Sequence, residues 1–96
     1  MIRHVVMFNW KPGTPDSIKE DVLAGFAHMK NTIEHVIDMQ CGNNTGFAPG
    51  NYDFAMIADF ADKEAWSGYR EHPEHIAFVQ KFGALSAEIA RIQIEI

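Results

Sequence analysis

The hydrophobic residues of this chain change their spacing from two to about three and a half and back again. The order of those changes leaves few folds open. In residues 2–10, Ile2, His4, Val6, Phe8 and Trp10 share one parity, and Arg3, Val5, Met7 and Asn9 share the other. Period-two alternation marks a strand. The even set is bulkier and is expected to face the core under the helices, while Val5 and Met7 make the second face partly apolar. Lys11-Pro12-Gly13 breaks the strand. Thr14 stands where an N-cap belongs, with Pro15 at the first helical position and Asp16 at the positive end of the dipole. Ile18, Val22, Phe26, Met29 and Ile33 then form one apolar stripe of an amphipathic helix. Gly25 inside that helix costs about 1 kcal/mol relative to Ala, and a close approach to the sheet would account for it.

Val36 to Gly42 reads as a second, shorter strand with Ile37, Met39 and Cys41 in phase. A Gly- and Asn-rich loop follows and extends through Pro49-Gly50, long enough to be a functional loop rather than a tight hairpin. Tyr52 to Phe60 alternates most clearly of all. Asp62 is placed to cap a short helix carrying Ala65, Trp66 and Tyr69. His72-Pro73 ends it near Glu71, because the residue before a proline is pushed out of the α region, and Pro73 starts the next helix. Ile76, Val79, Phe82 and Leu85 are expected to form the core face of that helix. Residues 87–96 make the last strand, with Ala90, Ile92, Ile94 and Ile96 on one face and Arg91, Gln93 and Glu95 on the other.

Strand, helix, strand, strand, two-part helix, strand, joined by two right-handed crossovers, gives a ferredoxin-like βαββαβ arrangement of the α+β class. Its four-stranded antiparallel sheet is covered by helices on one face. On the open face Val5, Met7, Ala55 and Ile57 are expected beside the polar Arg91, Gln93 and Glu95. Ninety-six residues make a single domain, 1–96. So short a chain buries only about 60–65% of its unfolded surface, so pairing with a second copy would help.

The net charge of −5 and the scatter of the eight basic residues argue against nucleic acid as a partner. One cysteine, Cys41, cannot form an internal disulfide, which points to a reducing, cytoplasmic setting. No stretch reads as a signal peptide or as a membrane helix, so no membrane partner is expected.

The segment Tyr69-Arg70-Glu71-His72-Pro73-Glu74-His75 concentrates groups able to move protons. His75 falls in the first turn of the helix begun by Pro73, where the dipole disfavours imidazolium, while Glu71 and Glu74 push the other way. A neutral imidazole is what a general base needs. Tyr69 could donate to a developing enolate oxygen, and His4 would place a polar group among the apolar walls of a pocket. The structural alternative is equally physical: His72 caps a helix junction, His75 is solvated, Tyr69 is core and His4 is a hydrogen-bonded buried histidine. His72 and His75 lack a third metal ligand, so no metal is expected. No phosphate-binding glycine loop is present. His28 and His35 read as surface residues, and Cys41 as a buried small hydrophobe.

Together these segments resemble the stress-responsive dimeric α/β-barrel (Dabb) domain family over nearly the whole chain. The resemblance rests on Ile2-Arg3-His4-Val5-Val6-Met7-Phe8, Lys11-Pro12-Gly13-Thr14, Gly42-Asn43, Tyr52-Asp53-Phe54-Ala55 and above all Tyr69-x-x-His72-Pro73-x-His75. It implies a homodimer closed sheet to sheet, which in some members assembles further into rings. A plant branch of the family is similar to polyketide cyclases that need no cofactor. By that likeness His75 would be the base, Tyr69 its aromatic partner and His4 the first-strand pocket histidine, while Phe26 falls where that branch has a further tyrosine. Three functions therefore stand open. One is a cofactor-independent enzyme of cyclase or lyase type acting on a small carbonyl compound. The second is a binding or stress-protective barrel with a small-molecule pocket and no catalysis. The third is a cofactor-free monooxygenase using Trp10, Trp66 and Phe54.

Overall fold

Strand β1 (Ile2–Trp10) runs through the middle of a four-stranded sheet in a computed structural model that describes all 96 residues. It is followed by α1 (Asp16–Thr32), β2 (Asp38–Asn43), β3 (Phe54–Phe60), α2 (Lys63–Glu71), α3 (Pro73–Phe82), a short 3-10 turn and β4 (Ser86–Glu95). The sheet order is β2-β3-β1-β4, with every neighbouring pair antiparallel. This is the ferredoxin-like βαββαβ arrangement that the sequence implies.

The even face of β1 lies under the helices as expected. Val6 and Phe8 join Val22, Phe26, Met29 and Ile33 of the α1 stripe, Met39, and Phe54, Met56, Ala58 and Phe60 of β3 in the core. His4 is the one buried polar residue. Asp62 caps α2, its carboxylate accepting from the Ala65 N–H at 2.8 Å.

Several expectations change. Thr14 does not cap α1; its hydroxyl instead donates to the Lys11 carbonyl at 2.7 Å, closing the turn, and Pro15 takes the cap position. The second strand starts at Asp38 rather than Val36, leaving Ile37 exposed. The third starts at Phe54 because Asp53 turns its carboxylate to the Trp10 N–H at 2.9 Å. Gly25 answers to α3 and not to the sheet, since a Cβ there would lie 2.7 Å from the Phe78 ring. The inward face of α3 carries Phe78 and Phe82, while Ile76 and Val79 are largely exposed.

The faces of β4 are the reverse of the expectation. Gln93 pairs with His4 and Arg91 with Val6, so Arg91, Gln93 and Glu95 share the helix side of the sheet. Ile92 pairs with Val5 and Ile94 with Arg3, placing the isoleucines on the open face with Met7 and Ile57. Burial by the helices stops short of this edge strand, whose inward positions border solvent and carry polar side chains. The open face is thus more apolar than expected. Beside it Arg3 and Asp59 form a two-pronged ion pair at 2.8 and 3.0 Å.

Candidate active site

The helix break at His72-Pro73 builds one wall of a cavity. The His72 N–H closes the last turn of α2 onto the Tyr69 carbonyl, and its Nδ1 accepts from the Glu74 N–H at 3.1 Å. His72 is therefore the hinge of the α2–α3 corner, the capping role foreseen as its structural alternative. That corner brings Tyr69, from the last turn of α2, against His75, from the first turn of α3. Their rings lie 4.5 Å apart.

The His75 ring is partly buried. Its Nδ1 stands 3.0 Å from the Arg70 carbonyl oxygen, which can only accept, so Nδ1 carries the proton. The lone pair of the neutral ring is then on Nε2. Burial lowers the His75 pKa, the Arg70 carbonyl opposes that, and the Arg70 charge lowers it further. Imidazolium is thus disfavoured at His75, and burial with the Arg70 charge takes the part assigned to the helix dipole, while neither Glu71 nor Glu74 contributes to the shift.

His4 rises from β1 on the opposite wall, its ring centroid 6.4 Å from Tyr69 and 6.2 Å from Trp66. The Gln93 side-chain amide donates to its Nδ1 at 2.9 Å, which leaves the His4 proton on Nε2. Burial, followed by the charges of His75, Arg91 and Arg70, brings the His4 pKa down to about 4. Tyr69 is 1% exposed and packs on Phe60 at 5.0 Å, and burial pushes its hydroxyl up to about 12. His4 is therefore a neutral imidazole at neutral pH with its one N–H on Nε2, Tyr69 keeps its hydroxyl proton, and both can act as donors.

His4, Tyr69 and His75 all line one cavity of about 620 Å³ between the sheet and the helices, within the usual range for small-ligand pockets. Phe26, Met56, Phe78 and Phe82 supply much of its apolar wall. Trp10 and Trp66 line it, whereas Phe54 lies outside it in the core. Phe26 brings an apolar ring where a tyrosine would bring a hydroxyl. Sequence reading missed Arg70, Arg91 and Gln93, which also line the cavity. Arg70 follows Trp66 by four residues, one helical turn, and its guanidinium sits 5.0 Å over the indole. That spacing was a usable signal. The indole N–H of Trp66 is the single buried side-chain polar atom without a partner.

Of the other titratable groups, His28 is exposed and pairs with Glu74 at 2.9 Å. His35 is only partly exposed, because its ring packs where a Cβ on Gly68 would otherwise lie. Burial raises the Cys41 pKa. No three His, Cys, Asp or Glu residues are placed to hold a metal ion, and no helix is long and apolar enough to cross a membrane.

Comparison with known proteins agrees with this architecture. An uncharacterised protein of Streptomyces coelicolor is 37% identical over 82 residues, covering 82% of this chain and 84% of that one. The crystal structure of a dimeric ferredoxin-like protein of unknown function from Thermobifida fusca superposes with a TM-score of 0.92. It is 27% identical, covering 99% of this chain and 90% of that one. A hydroxynitrile lyase from Passiflora edulis superposes with a TM-score of 0.90 over 99% of this chain and 92% of that one; at 15% identity this is a likeness of fold alone. The sequence model of the stress-responsive A/B barrel domain matches residues 2–96, and the chain belongs to that family, Dabb.

Proposed function

We propose that the cavity binds a small carbonyl compound and that His75 removes a proton from the carbon beside the carbonyl, without a cofactor. The observation that carries this reading is the matched set of proton positions around one cavity. His75 offers a lone pair on Nε2, while His4 offers an N–H on Nε2 and Tyr69 an O–H. In enolisation, Nε2 of His75 takes the proton and the C–H electrons move into the enolate. Tyr69 and His4 donate to the oxygen on which charge collects. The Arg70 carbonyl, which accepts from Nδ1, stabilises the resulting imidazolium. A second carbonyl in the same molecule could then accept the new C–C bond, with the imidazolium returning its proton to the alkoxide. That is a cyclase-type aldol step.

The test is hydrogen–deuterium exchange next to the carbonyl, followed by proton NMR across a panel of methyl ketones and diketones in heavy water. Exchange faster than buffer, lost in His75→Gln, is expected. A panel that binds and exchanges no faster than with the variant would remove the catalytic role. It would leave the second reading, a binding barrel, which the deep burial of Tyr69 favours.

We infer further that two copies pair through their open sheet faces. The motive is the cluster of Val5, Met7, Ile57, Ile92 and Ile94 on one surface, with Met7, Ile57, Ile92 and Ile94 each more than a third exposed. Covering such a set contributes several kcal/mol at about 0.8 kcal/mol per CH₂ group. The dimeric Thermobifida relative supports this assembly. Sedimentation velocity would test it, and a monomer at all accessible concentrations would overturn it.

A further inference from the structure

The charges around the cavity run against the charge of the chain. Thirteen acidic residues outnumber eight basic ones, yet no Asp or Glu lines the cavity, whereas Arg70 and Arg91 do. Neither arginine has a carboxylate partner, since the three Arg or Lys ion pairs of the structure and the His28–Glu74 hydrogen bond lie elsewhere. Both are exposed, so they stand where the cavity meets solvent, while Val22, Phe26 and Met56 line it in the buried interior. They come from different elements. Arg70 leaves the last turn of α2 and is steadied by stacking on Trp66. Arg91 leaves β4 on the helix side, beside Val6.

We propose that this cavity takes a hydrophobic carboxylate, with its apolar body against Phe26, Met56 and Phe78 and its carboxylate held at the mouth by Arg70 and Arg91. The inference rests on the ligand-binding reading of the cavity and narrows its substrate class to carbonyl compounds that also carry a carboxylate. A guanidinium without an ion-pair partner keeps its forked donors available, and their planar spacing matches the two oxygens of a carboxylate. A solubility role would not select cations here, because the net charge that keeps this chain in solution is negative. Carboxylates on the lining would repel such a ligand, and the lining has none.

Phenylacetate and phenylacetamide differ in charge but little in shape, and both suit a calorimetric titration of the full chain at neutral pH. Tryptophan fluorescence gives a second readout, because Trp10 and Trp66 both line the cavity. The carboxylate is expected to bind roughly ten- to a hundredfold more tightly than the amide. The Arg70→Gln/Arg91→Gln double variant is expected to bring the carboxylate to the level of the amide, with amide binding unchanged. Equal binding of the two compounds to the unaltered protein would overturn the proposal, as would a preference that survives in the double variant. Displacement of phenylacetate by an equal concentration of inorganic phosphate would also overturn it, because the apolar body would then count for nothing. Should the double variant fail to fold, added salt must weaken phenylacetate binding and spare phenylacetamide; salt-insensitive binding of both refutes the idea. These titrations read binding alone. A carboxylate preference without deuterium exchange keeps this inference and removes the catalytic reading, while exchange confined to neutral ketones does the reverse.

Discussion

Nδ1 of His75 lies 3.0 Å from the carbonyl oxygen of Arg70, across the break that Pro73 makes between two helices. The Arg70 carbonyl belongs to the last turn of α2, where carbonyls lack partners within the helix. The corner thus satisfies a helix end and fixes a tautomer with a single bond.

The two histidines of the motif should separate cleanly on mutation. His75→Gln should lower exchange at least about a hundredfold with little change in melting temperature. His72→Ala removes the acceptor for the Glu74 N–H and should cost about 1 kcal/mol of stability, with exchange still measurable. On the proposed reading, exchange by the unaltered protein should fall on acidification, with a midpoint below 6.5 because burial lowers the His75 pKa. Equal loss of exchange in both variants would contradict this division.

His4 predicts how stability depends on pH. Its folded pKa of about 4 lies below the ordinary 6.5, so the unfolded chain binds more protons between those values. The contribution is complete above 6.5 and is lost as pH falls toward 4. It amounts to no more than about 3 kcal/mol. Urea unfolding across that window should track the loss in the parent and be flatter in His4→Gln.

Gly25→Ala should destabilise, although Ala normally strengthens a helix by about 1 kcal/mol. Its Cβ would stand 2.7 and 2.9 Å from two Phe78 ring atoms and 3.3 Å from Phe82. Phe78 is held in turn by Phe26, 4.6 Å away. Overpacking of this kind costs roughly 1–3 kcal/mol, so denaturant unfolding should report a net loss of about 1 kcal/mol. A gain would mean that α3 moves aside freely.

Ile57→Glu, in register with Val5 on the open face, should turn a dimer into a monomer at micromolar concentration. Sedimentation should report this with the secondary structure unchanged by circular dichroism. An intact dimer would place the interface elsewhere.

The order of elements was legible because β1, α1 and β3 each keep one hydrophobic period and His72-Pro73 punctuates the helices. The sense of β4 was not. Alternation shows that Ile92 and Arg91 face opposite ways, but which way depends on cross-strand register, and the usual apolar-inward choice fails at an edge strand. For the same reason Arg91 and Gln93 were absent from the expected site. Ile76 and Val79 looked like core because apolar spacing alone cannot tell a buried face from an exposed one. His4, Tyr69 and His75 were legible as candidates, and the side of the sheet that His4 occupies followed from the parity of β1.

β4 is a partition one backbone thick. At adjacent positions it offers Arg91 and Gln93 to the cavity and Ile92 and Ile94 to the opposite sheet surface. Substitutions walked along it should therefore read out in alternation, with 91 and 93 moving ligand affinity in titrations and 92 and 94 moving self-association in sedimentation. The parity of a position on β4, rather than its distance along the strand, then decides which of the two properties a substitution tunes.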